Sequence, residues 1–239
     1  MKIKTSITQI KDGKEVVRGK ELEELIMNHS FVETIFLLLQ KRMPEKNEAR
    51  MLDAIFTAII DHGPATTSAL SARISASAKN NMHTSLAAGI LSFGDRHGVA
   101  LETAMKFLYD HIDNHDIAKT LAGMKARKEY VTGLGHKLLE RDNRVDVLFA
   151  LAKEHKMFGK YCMFIEHIHK EVNKQSSKVL PINVDGAVAG ILCDMGFDYR
   201  VGRGIFVIGR IPGLVAHVME EIEQDEGIRR LDNDDILYE

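Results

Sequence analysis

The chain has 239 residues, 45% apolar and 28% charged, which is ordinary for a soluble globular protein and long enough for one large domain or two small ones. A formal net charge of −2 with both signs intermixed argues against nucleic acid or another polyanion as partner. The longest apolar runs, such as Ile35 to Leu39, are far too short to span a bilayer, and no charged-then-apolar leader opens the chain.

Lys2 to Gly19 alternates weakly, with Ile3, Ile7, Val16 and Val17 around Lys11-Asp12-Gly13-Lys14. Asp-Gly between such runs is a hairpin signal, so a short terminal β-ribbon is expected. From Glu21 to Lys41, Leu22, Leu25, Ile26, Val32, Ile35, Phe36 and Leu39 recur at helical spacing, and Met43-Pro44 stops that helix. A second helix runs from about Glu48 to Ile60 and ends in Asp61-His62-Gly63-Pro64.

Of the 28 residues from 65 to 92, thirteen are Ala or Ser, in no simple repeat. Such small side chains let helix backbones approach closely, so central helices packed on several sides, or across a subunit contact, are expected there. Gly94-Asp95-Arg96-His97-Gly98 breaks the pattern. Helices are then expected at 101–113 and 116–126, followed by a GLGH turn and helices at 142–156 and 158–173. Lys174 to Lys178 is a polar loop into Leu180-Pro181-Ile182-Asn183-Val184-Asp185-Gly186, and a helix follows from Ala187 to Met195. Gly204 to Gln224 could open as a strand by propensity, but lacks a pairing partner and reads as helix. A charged tail closes the chain.

Four residues share one context, each near an apolar segment and flanked by glycine: His62 in DHGPA, His97 in GDRHG, His136 in GLGHK and Asp185 in NVDG. Any one alone is a helix cap or a hydrogen-bonded loop residue. Together they are the imidazole and carboxylate groups that acid–base chemistry uses. Arg144, Arg210 and Arg230 offer the planar fork that suits carboxylates. Surface arginines are usually just solvated. Arg210 lies inside an otherwise apolar helix, where an unpaired guanidinium is costly, so an anionic partner is expected.

Two histidine clusters read as structural. His111 and His115 are four apart, but a helix break is expected between them and the HExxH glutamate is absent. His167 and His169 are two apart and face different directions on a helix. Cys162 and Cys193 make no CxxC and no disulfide framework, which points to a reducing cytoplasm; both lie in apolar helices and read as core.

These motifs resemble the citrate synthase superfamily, most closely its citryl-CoA lyase module, found in stand-alone citryl-CoA lyases and at the carboxyl end of ATP-citrate lyase. The likeness runs almost end to end, through the Thr5-Ser6-Ile7 ribbon, QKRMP at 40–44, DHGPA, GDRHG, GLGHK, INVDG, GIFVIGR at 204–210 and the terminal Asp234-Asp235-Ile236. It implies an all-α fold of two subdomains: a large one from 1–97 plus 190–239 and a small one at 98–189.

By position, the resemblance implies a catalytic trio. Asp185 matches the carboxylate that exchanges the methyl proton of acetyl-CoA. His136 matches the histidine acting on the hydroxyl or ketone of the oxo-acid, and His97 the one that hydrogen-bonds the thioester oxygen. His62 matches an oxo-acid-binding histidine. Arg144, Arg210 and Arg230 match carboxylate-binding arginines, the last supplied by the neighbouring subunit of a dimer or tetramer. Val131, Gly133, Leu134 and Gly135 match the loop that receives the CoA adenine, with Lys125, Lys174 and Lys178 as candidates for the rest of coenzyme A.

The implied activity is cleavage of citryl-CoA to acetyl-CoA and oxaloacetate, without a metal. A citrate or 2-methylcitrate synthase-type condensing enzyme is the nearest alternative. A non-catalytic CoA-binding subunit of a citryl-CoA synthetase system is the alternative from another class. Citrate synthases are considerably longer, which favours the lyase.

Overall fold

The structure, a computed structural model, describes residues 2–95, 97–135 and 141–238. His136, one of the expected catalytic residues, lies outside them.

The ribbon is a three-stranded antiparallel sheet in the order β1 (Thr8–Lys11), β2 (Lys14–Val17), β3 (Lys20–Glu21), with Thr8 opposite Val17 and Val16 opposite Glu21. Asp12-Gly13 turns the first hairpin with both residues at positive φ, as a type I′ turn requires. Arg18-Gly19 repeats this at the second hairpin, which adds a strand that the alternation of apolar residues did not reveal.

The expected single helix from Glu21 to Lys41 is two helices, α1 (Leu22–Asn28) and α2 (Phe31–Gln40). Ser30 separates them: its side chain accepts the Glu33 N–H, and the Glu33 carboxylate accepts the Ser30 N–H at 2.7 Å. This reciprocal cap, in which an N-cap serine is typically worth about 1 kcal/mol, outweighs the continuous apolar spacing. Next come α3 (Lys46–Ala58), α4 (Thr67–Ser77), α5 (Met82–Leu91), α6 (Ala100–His111), α7 (Ile117–Ala126), α8 (Asn143–Glu154) and α9 (Lys160–Gln175). The break between His111 and Ile117 falls where it was expected.

Helix α10 (Val184–Asp194) starts three residues earlier than the apolar run suggested, because Asn183 caps it through the Gly186 N–H at 3.1 Å. Asp185 therefore sits in its first turn and not in a free loop. Every residue from Gly186 to Cys193 is buried, so α10 is apolar all round and forms the axis on which α6, α8 and α9 pack. Tyr109 of α6 donates to the Phe197 carbonyl at 2.7 Å just beyond its end.

Helix α11 (Gly202–Gln224) is helical throughout, including the GIFVI stretch, and Pro212 lies inside it. A separate apolar cluster joins Ala69, Ala72 and Ala76 of α4 to Leu214 and Val218 of α11. The Ala/Ser-rich segment forms close-packed helices, though each keeps an exposed face: a Cβ on Gly89 of α5 would stand 2.9 Å from the Ser68 carbonyl oxygen, while Leu70, Ile74 and Leu91 are exposed. Cys162 and Cys193 are buried core residues, and burial pushes both thiols up, Cys193 to about 12. Among the described residues no helix is long and apolar enough to cross a membrane, and no three His, Cys, Asp or Glu side chains could hold a metal ion.

Candidate active site

Three loops and the start of α10 carry the glycine turn, His97, His62 and Asp185. The first is the turn that contains Gly133 and Gly135. Its backbone is tied to the α10 approach by Gly135 N–H to Pro181 O at 2.7 Å, Asn183 N–H to Gly133 O at 3.1 Å, and the Asn183 side-chain amide to Gly135 O at 2.9 Å. A Cβ on Gly186 would lie 2.3 Å from the Gly133 carbonyl oxygen, so only paired glycines allow this contact. Residue 135 is thereby fixed beside the helix turn that carries Asp185.

Asp185 is partly shielded, and burial pushes its carboxyl up while the charges of Arg144 and Arg210 oppose that shift. A carboxyl raised in this way is better matched to carbon-acid proton transfer than a free one, whose pKa is about 4.

His97 lies on the loop between α5 and α6, closed by reciprocal backbone bonds with Gly94 at 2.8 Å. Its Nε2 meets the hydroxyl of the fully buried Ser68 at 2.9 Å. The ring stacks on Phe93 with centroids 5.0 Å apart; Phe93 meets Phe206 edge-on at 5.7 Å, and the Arg210 guanidinium lies over Phe206 at 4.8 Å. This aromatic series joins His97 to Arg210 through side chains alone. Burial, then the charges of Arg210 and His62, hold His97 below the ordinary imidazole value, so its neutral form dominates at pH 7.

Arg210 is 4% exposed. An anionic partner was expected; among the described residues its direct hydrogen bond is from Nε to the Ile59 carbonyl at 2.8 Å, while Asp61 and Asp185 support its charge. Arg144 is already paired: Asp142 accepts from its Nε and Nη2, both at 2.9 Å, and also from the Val184 N–H at 3.0 Å. Burial would raise the Asp142 carboxyl, but Arg144 and the N–H donors outweigh it and hold it low. One buried carboxylate therefore orients Arg144 and fixes the start of α10. His62 and Arg144 line a common cleft of about 410 Å³ with Asp61, Asp142 and Asn143.

A second cleft, of about 430 Å³ and mostly apolar, is lined by Leu121, Met124, Lys125, Lys128, Tyr130, Val131, Leu134 and Leu180 among others. Of the lysines singled out in the sequence, Lys125 lines it; Lys174 pairs with Glu171 at 2.6 Å, and Lys178 is exposed on the adjoining loop. Arg230 is exposed and makes no ion pair among the described residues. Ser68, Asp142 and Lys128 were not singled out. Asp142 carried a readable signal, since it stands just before an apolar-periodic helix and caps it through the Arg144 N–H.

Arg210 acts electrostatically on both His97 and Asp185, and Arg144 on Asp185, so imidazole, carboxyl and guanidinium groups lie near one another in a helical fold. The chain belongs to the citrate synthase family: the family described as "Citrate synthase, C-terminal domain" matches residues 42–231. It is 39% identical to the citryl-CoA lyase of Hydrogenobacter thermophilus, with a TM-score of 0.93 over 99% of this chain and 94% of that one. An ATP citrate lyase from Methanothrix soehngenii, solved with citrate and coenzyme A, shares the fold at 22% identity and a TM-score of 0.88, over 100% of this chain and 42% of that one. The ATP-citrate synthase of Homo sapiens is 26% identical over 98% of this chain. The chain spans 23% of that protein's length and 36% of its Dictyostelium discoideum counterpart's.

Proposed function

We propose that this protein is a citryl-CoA lyase, cleaving citryl-CoA to acetyl-CoA and oxaloacetate. The observation that carries the reading is the end-to-end match in sequence and fold to a citryl-CoA lyase.

The residue types suit this chemistry. His136 takes the proton of the 3-hydroxyl as the ketone of oxaloacetate forms. The carbon–carbon bond breaks, and its electron pair passes into the thioester to give an enolate. His97, neutral and braced by Ser68, donates to the developing enolate oxygen from a fixed position. Asp185 delivers a proton to the carbon, which completes acetyl-CoA. Arg144, Arg210 and His62 hold the carboxylates of the oxo-acid, and Arg230 of a second copy completes the set in a homo-oligomer.

Coenzyme A extends along the turn formed by Val131, Gly133, Leu134 and Gly135 into the apolar cleft, with Lys125, Lys174 and Lys178 near its polar portions. Segment 98–189 moves against 1–97 and 190–239 as the cleft closes, and the enzyme works in the cytoplasm.

Purified protein supplied with citryl-CoA should release oxaloacetate, read by a coupled dehydrogenase, together with acetyl-CoA. Given acetyl-CoA and oxaloacetate, it should release little free CoA. Rapid release of free CoA would replace the lyase reading with a synthase one, and no turnover in either assay would leave a binding subunit.

A further inference from the structure

We propose that Asp61 and His217 are a positioning pair for His62, fixing on α11 the turn that presents His62 to the oxo-acid. The proposal rests on reading the His62–Arg144 cleft as the oxo-acid site.

The segment between α3 and α4 has no strand or helix of its own, so something outside it must define its shape. That something is one stripe of α11. Gly209, Gly213 and His217 recur every four residues and face the same way. A Cβ at Gly209 would stand 2.6 Å from Ile59 Cγ1, and one at Gly213 would stand 2.5 Å from the Ile60 carbonyl oxygen. At Gly209 the helix meets the Ile59 side chain and at Gly213 the turn backbone itself, so the segment lies directly on α11. Arg210, adjacent to the stripe, holds the Ile59 carbonyl.

Asp61 finishes the attachment. Its Oδ2 accepts the Gly63 N–H at 2.9 Å, and its Oδ1 meets His217 Nε2 at 3.0 Å. Burial would raise this carboxyl, but the Gly63 and His62 N–H groups, together with His217, hold it below the ordinary range. An ionised carboxylate only accepts, so His217 must carry its proton on Nε2. The imidazole is 12% exposed, which leaves little room for water to replace that donor. His62 is flanked by Asp61 and Gly63, and one carboxylate governs both neighbours. The placement of the His62 ring is therefore set from a helix about 150 residues further along the chain.

The test compares His217→Leu and His217→Gln with the wild-type protein. Oxaloacetate binding is measured by calorimetry, coenzyme A binding in parallel, and citryl-CoA cleavage by kcat and KM. His217→Leu should weaken oxaloacetate binding about tenfold and leave coenzyme A binding unchanged, whereas His217→Gln, which keeps an N–H donor, should stay within about threefold of wild type. Equal oxaloacetate affinity in His217→Leu, no rescue by glutamine, or parallel loss of both ligands would overturn the proposal. Should the leucine variant not fold, Asp61→Asn must show the same selective loss. If wild-type protein neither binds oxaloacetate nor turns over citryl-CoA, the lyase reading fails on its own account. The pairing is then judged by the His62 ring resonance, which should shift in His217→Leu and not in His217→Gln.

Discussion

Gly186 and Gly133 meet backbone to backbone: a Cβ added to Gly186 would lie 2.3 Å from the Gly133 carbonyl oxygen, and one added to Gly133 would lie 2.7 Å from the Gly186 Cα. Neither neighbour is a flexible side-chain tip, so the contact cannot be relieved without moving the turn away from α10. Gly186→Ala should cost about 1–3 kcal/mol and abolish most activity. Gly204→Ala, on the exposed first turn of α11 with open space around it, should instead be neutral or stabilising by up to about 1 kcal/mol. Denaturant titration of the two alanine variants checks the contrast.

His97 gives the stability curve a particular slope. Its native value lies below 6.5, so the folded ring binds fewer protons than the unfolded one and unfolding free energy rises with pH. That contribution is fully present above about pH 6.5 and is lost as pH falls through the lower folded value. His97→Gln, which retains a polar contact for Ser68 but does not titrate, should lose less stability than wild type between about pH 7.5 and about pH 5. Chemical denaturation across that range measures the difference.

Asp185 has the opposite sign. Its carboxyl is raised, so the folded state binds the extra proton and stability declines as pH rises through the folded value. Asp185→Asn should therefore melt higher than wild type at pH 8, with the gap narrowing toward about pH 4. The same variant should lose citryl-CoA cleavage by roughly 10²- to 10⁴-fold, the usual worth of a positioned acid or base. A variant that is stabler and inactive is the expected signature; a variant less stable at pH 8 contradicts it.

Asp194 joins the end of α10 to the start of α9. Its carboxylate accepts the N–H groups of Gly159 at 2.8 Å, Tyr161 at 3.0 Å and Cys162 at 3.0 Å, satisfying three donors that the helix itself leaves open. Asp194→Ala should lower stability by about 1–2 kcal/mol while KM stays close to wild type in the protein that remains folded. Hydrogen exchange should localise the loss to the first turn of α9.

Much of the helical order was legible because apolar spacing is local and each helix buries one stripe of it. The departures came where a polar cap outweighed that spacing. Ser30 and Glu33 divide α1 from α2, and Asn183 starts α10 early enough to place Asp185 inside its first turn. Both carry readable signals, Ser-x-x-Glu and an asparagine before an apolar run, that the spacing of apolar residues masks. The third strand was hidden because two residues offer no alternation to detect, although Arg18-Gly19 marks its turn.

The candidate site divides in the same manner. His62, His97, Arg144, Asp185 and Arg210 stood out in the sequence because charge or imidazole beside glycine, or inside an apolar helix, is conspicuous in one dimension. Ser68 and His217 did not, since a serine among alanines and a histidine on a long helix look ordinary until their partners are known; Asp142 was legible as a helix cap but not as the partner of Arg144. What the sequence determined was which groups are available and which turns hold them. The tertiary structure decided how they act: it brought Ser68 against His97, gave Asp142 both Arg144 and the start of α10, and buried Asp185 enough to raise its carboxyl. Those outcomes depend on distances between segments far apart in the chain and on exclusion of water, and neither quantity exists until the helices have packed.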